Sequence, residues 1–78
     1  MALVREFFHA PKDENRVHEE VECGYLSFTA RGQTYFQLDT YGSKHRKLAG
    51  KVSQSIQIDG DGARELMRLL RKTFPGHA

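Results

Sequence analysis

Three tyrosines and a run of cations are the residues with the clearest chemistry in this sequence. Tyr25, Tyr35 and Tyr41 recur through two alternating segments, and Lys44, His45, Arg46, Lys47 and Lys51 follow within ten positions of the last. Aromatic rings beside lysine and arginine suit a single-stranded nucleic acid, because bases stack on rings while cations neutralise phosphates. Stacking contributes about 1–3 kcal/mol per base, and each phosphate contact makes affinity fall as salt rises. Each feature also has a plainer explanation. Tyrosine is a favoured strand residue whose cross-strand pairs stabilise sheets without binding anything, and a Lys/Arg-rich loop is often just solvated. Their conjunction is what points to a surface.

Other chemistry fails on spacing. Gly50-Lys51 invites a phosphate-loop interpretation, but position 45 is His where that motif has Gly, and Val52 replaces its magnesium-ligating Ser/Thr. His9, His18 and Cys23 match no zinc-ligand spacing and lack a fourth ligand. A nucleophilic Cys23 would need a base and an electropositive setting, whereas Glu19, Glu20 and Glu22 surround it. Asp39 is a lone carboxylate and suggests no acid–base dyad, while Asp59 and Asp61 suit a helix start. No enzyme activity, cofactor or metal is expected.

The elements that position these residues must come from one small domain of 78 residues. A chain this short buries only roughly 60% of the surface its unfolded form exposes, and a single cysteine gives it no internal disulfide. The lone cysteine and the absence of a signal-like opening suggest a cytoplasmic protein. No window approaches the ~18 apolar residues that would span a bilayer. Charge is uneven: residues 1–39 hold four Lys/Arg and seven Asp/Glu, and residues 40–78 hold eight and three. That distribution points to a basic face, or to an acidic half that meets a partner's basic half.

Along the chain, residues 1–16 read as an N-terminal strand or arm (LVREFFH, 3–9) and a loop, APKDENR. Residues 17–59 read as an antiparallel sheet. Its segments YLSFTAR (25–31), TYFQLDTY (34–41) and VSQSIQID (52–59) alternate with period two. A tight turn is expected at Gly32-Gln33. Leu26, Phe28 and Ala30, with Phe36 and Leu38, and Val52, Ile56 and Ile58, are expected on the covered face. The three tyrosines and Arg31 are expected on the other.

Ala63, Leu66, Met67 and Leu70 then follow helical spacing behind an Asp59 N-cap. The spacing predicts a helix from about Gly60 to Thr73 within the segment 60–74, stopped by Pro75-Gly76 before a tail at 75–78. The fold class is therefore α+β: a three- or four-stranded antiparallel sheet with one C-terminal amphipathic helix packed on its apolar face.

The succession of strands, basic loop and helix resembles the positive-cofactor-four family of transcriptional coactivators. The resemblance rests on YFQLD (35–39), on AGKVSQSIQID (49–59) and on GARELMRLL, and covers about residues 24–74. Where that family tends to have an arginine soon after its strand aspartate, Thr40-Tyr41 follow Asp39. Its glycine-lysine junction leads to a second lysine and glycine, where this chain has VSQS. The resemblance implies a single-stranded-DNA-binding module with a role in transcription or DNA maintenance, dimeric through the helix.

On this expectation Tyr25, Tyr35 and Tyr41 stack on bases. Arg31, Lys44, His45, Arg46, Lys47 and Lys51 line the nucleic-acid site, the lysines and arginines contacting phosphate. The alternative, from a different class, is a protein-interaction adaptor or inhibitor, for example phage or defence-associated. In that case the tyrosine face would be the binding hot spot.

Overall fold

A computed structural model of the chain describes residues 1–42 and 51–76. Four strands and one helix follow in the order β1 (Ala2–Val4), β2 (Cys23–Ala30), β3 (Gln33–Tyr41), β4 (Val52–Ile58) and α1 (Gly60–Thr73). They form one sheet in the spatial order β1-β4-β3-β2. The β2–β3 and β3–β4 pairs are antiparallel, as alternation predicts. The exception is β1, which pairs parallel with β4.

The hairpin between β2 and β3 turns at Arg31-Gly32, one residue earlier than expected, with Ala30 paired to Gln33. Arg31 and Gly32 both have positive φ, 54° and 77°, which is the pair a type I′ hairpin turn requires. Glycine accepts this conformation freely, whereas arginine does so at a cost.

That turn also corrects the expected faces. Any two-residue turn pairs even-numbered residues of β2 with odd-numbered residues of β3. Phe28 therefore lies across from Tyr35, Leu26 from Gln37, and Tyr25 from Leu38. Alternation within each strand is as expected, but the two patterns meet one residue out of phase, and such a slip exchanges the faces. One face carries Tyr25, Phe36, Leu38, Ile56 and Ile58. The other carries Leu26, Phe28, Tyr35, Gln37, Asp39, Tyr41 and Gln57.

Val52 is displaced as well. A bulge between Thr40 and Tyr41 moves the pairing from Thr40–Gln54 to Tyr41–Val52, so Val52 joins Ser55 and Gln57 rather than Ile56. An extra residue in one strand has this effect locally.

The helix starts where β4 ends. Asp59 caps it, its carboxylate accepting the Gly62 amide hydrogen at 2.8 Å, and the same side chain accepts from Arg5 Nε at 2.9 Å. Arg5 thereby ties the end of β1 to the helix start. The first turn approaches the strands closely: a Cβ on Gly62 would lie 2.7 Å from the Val4 carbonyl oxygen and 3.0 Å from Ile58 Cγ2. Ile58, 5% exposed, is the most buried apolar residue there. Further along, Met67 and Leu70 on the helix and Phe36 and Ile56 on the sheet remain 40–47% exposed. The helix start meets the apolar side at Ile58, but among the described residues no large side chain is completely buried.

Candidate nucleic-acid interface

The two sheet faces differ in chemistry, and the register decides which expected site residues share one. Tyr25 lies on the helix side, tilted against Phe36 with ring centroids 6.0 Å apart, and is 76% exposed. It is separated from the other two tyrosines by the thickness of the sheet. Tyr35 and Tyr41 share the polar face. Tyr35 stacks on Phe28 across the hairpin, at 5.5 Å and an interplanar angle of 28°. Its hydroxyl donates to Gln33 Oε1 at 3.1 Å, so the ring is held from its side and its tip.

Tyr41 is half-buried over Gly24. A Cβ at that glycine would come within 3.0 Å of the Tyr41 hydroxyl and 3.3 Å of its ring. Gly24 therefore supplies the flat seat on which this ring lies. One feature of the primary structure anticipates it: glycine within an otherwise alternating strand often marks a close approach.

The basic residues divide too. Arg31 sits in the hairpin turn, whereas Lys51 directly precedes Val52, the partner of Tyr41. Those positions flank opposite ends of β3, whose nine residues span about 27 Å at ~3.4 Å per residue. Arg31 and Lys51 therefore belong to different ends of the sheet. Lys44, His45, Arg46 and Lys47 lie outside the described residues, in the connection that leaves and rejoins the sheet beside Tyr41.

Between the tyrosines runs a polar row that sequence reasoning left unassigned. Gln57 Nε2 donates to Gln37 Oε1 at 2.9 Å, and Gln37 Nε2 donates to the two Asp39 carboxylate oxygens at 3.0 and 3.2 Å. Asp39 is only 8% exposed. Such a row is legible only once the strands are registered, because Gln37 and Gln57 are 20 residues apart. A shallow groove of about 520 Å³ lies over this row, with Leu3 and Val52 among its walls and Ser55 in its floor.

At the far end of the sheet, Asp59 is held below the usual carboxylate range. The Gly62 amide hydrogen bond is the main cause, and the Arg5 guanidinium adds to it, against a desolvation cost that acts in the opposite sense. This carboxylate is part of the fold rather than of the tyrosine face. Among the described residues no three His, Cys, Asp or Glu side chains converge as metal ligands. Among them, too, no helix is long and apolar enough to cross a membrane. Comparison with family models, with curated proteins and with solved structures yields no match to this chain.

Proposed function

We propose that this chain is a small intracellular nucleic-acid-binding module, favouring single-stranded DNA and serving transcription or DNA maintenance. The polar sheet face is the binding surface. The observation that carries this reading is the continuity from the Phe28–Tyr35 stack through Gln37 and Asp39 to Tyr41, where the basic connection begins. Tyr35 and Tyr41 offer rings to bases, and Lys44, His45, Arg46, Lys47 and Lys51 offer positive charge to phosphates at one end. Tyr25 and Arg31 fall outside this surface.

Fluorescence anisotropy with a labelled single-stranded 20-mer tests the reading. Tyr35→Ala is expected to cost about 1–3 kcal/mol, fivefold to more than a hundredfold in affinity, with the salt slope unchanged. Replacing Lys44, Arg46 and Lys47 together by alanine should reduce the slope of log K against log salt by about 2. Undetectable binding at low salt would refute the function.

The helix side supports a second copy as partner. Tyr25, Phe36, Ile56, Met67 and Leu70 are each 40–76% exposed, apolar area of the kind that homodimers bury. Sedimentation equilibrium should give the mass of two chains, and Met67→Glu should give one. A wild-type monomer at micromolar concentration would refute the dimer.

A further inference from the structure

The polar row is organised to accept hydrogen bonds at one place. Its donors run in a single direction, from the Gln57 amide to the Gln37 carbonyl and from the Gln37 amide to Asp39. The acceptor end of the row is therefore a carboxylate. A carboxylate offers about four acceptor sites. Among the described residues one amide group reaches its two oxygens, which takes two of those sites. Ser55, the cross-strand partner of Asp39 on β4, is small and keeps the floor low on that side, while the Tyr41 ring covers Gly24 on the other. Leu3 and Val52 stand on the groove's rim and provide apolar contact for a flat ring. A groove of about 520 Å³ falls within the range of small-ligand pockets, roughly 300–1,000 Å³.

A negative side chain in a nucleic-acid surface also restricts orientation. Phosphate is repelled by Asp39, so a strand crossing this face must turn a base edge toward it. The edge that suits an acceptor is one with an exocyclic amine, as when Asp or Glu accepts from the cytosine N4 amino group. Thymine presents a carbonyl oxygen at the same ring position, and two acceptors then face each other.

We propose that this groove, lined by Leu3, Gln37, Asp39, Val52, Ser55 and Gln57, seats an unpaired nucleobase bearing an exocyclic amine, so that the surface discriminates cytosine from thymine. The inference rests on the nucleic-acid function proposed above. Oligo-dC and oligo-dT of equal length are the probes, because their bases share ring size and differ in this pattern of donors and acceptors.

Anisotropy titrations at neutral pH should show dC bound roughly tenfold more tightly than dT. Asp39→Asn, which replaces half of the acceptor with a donor, should bring the ratio close to one by weakening dC binding and strengthening dT binding. Gln57→Leu should lower the ratio as well, and it carries the test if melting curves show that Asp39→Asn has lost its fold. Equal affinity of the wild-type chain for dC and dT overturns the base preference and leaves the nucleic-acid function standing. A tenfold ratio that survives both substitutions overturns the assignment to this groove. Binding of neither oligonucleotide overturns both readings together.

Discussion

Gly62→Ala sets two known effects against each other, and the geometry decides the winner. In an exposed helix interior, alanine for glycine stabilises by about 1 kcal/mol. Here the added methyl would lie 2.7 Å from the Val4 carbonyl oxygen, 3.0 Å from Ile58 Cγ2 and 3.2 Å from Asp59 Oδ1. The nearest of these is backbone and cannot rotate away. Relief requires the helix start to shift from β1, and overpacking of this kind costs about 1–3 kcal/mol. Added strain on the Asp59 cap and its Arg5 bond should leave a net destabilisation of about 1–2 kcal/mol after the propensity gain. For a domain this small each kcal/mol moves Tm by roughly 4–8 °C.

Gly60→Ala is the internal control. Nothing lies within 4 Å of a Cβ at that position, so the substitution should be neutral or mildly stabilising. Urea titration of the three proteins gives the midpoints directly. A Gly62→Ala variant as stable as the wild-type chain, or more so, would show that the helix start does not sit against β1 as described.

Other outcomes follow from single contacts. Arg31→Asn converts the hairpin turn to Asn-Gly and removes an arginine from positive φ. It should raise stability by roughly 0.5–1 kcal/mol and leave oligonucleotide affinity unchanged. Because the folded-state pKa of Asp59 is lowered, the unfolded chain binds more protons in the window just below the ordinary carboxylate value, and stability there rises with pH. The Asp59 contribution is complete above about pH 4 and is lost as pH falls through the depressed value. The gap in urea midpoint between the wild-type chain and Asp59→Asn should therefore narrow from pH 6 to pH 3. Gly24→Val removes the seat of the Tyr41 ring, and titration with single strands should show weaker binding without a change in salt slope.

How much was legible varies with the distance over which each feature is determined. The helix is local: the Asp59 cap, the apolar spacing from Ala63 to Leu70 and the Pro75-Gly76 stop define Gly60–Thr73 to the residue. The period-two strands are local as well. The relation between strands is not. The placement of Leu26 and Phe28 with Phe36 and Leu38 required a turn of odd length, while Gly32 marked a two-residue one; the parity of that turn was available and decisive. Neither the bulge that carries Val52 across nor the parallel docking of three-residue β1 had a signal, because each depends on a pairing made elsewhere. The Gln57–Gln37–Asp39 row was hidden for the same reason, its members being ordinary polar positions until two strands bring them together.

The parallel pairing of β1 has a kinetic consequence. Arg5 and Asp59, which lock that strand in place, are 54 residues apart, whereas the widest rung of the β2–β3 hairpin joins Cys23 to Thr40. Closing the longer loop costs about 1 kcal/mol more in chain entropy, and among the described residues three rungs, one ion pair and the close approach of the helix start to Val4 offset it. The hairpin is expected to form first, with β4 and the helix adding to it and β1 docking last. Under mild denaturant the amides of Ala2–Val4 should be the first of the sheet to exchange with solvent. The Leu3 side of the groove is thus expected to be the last part of the sheet to assemble and the first to come away.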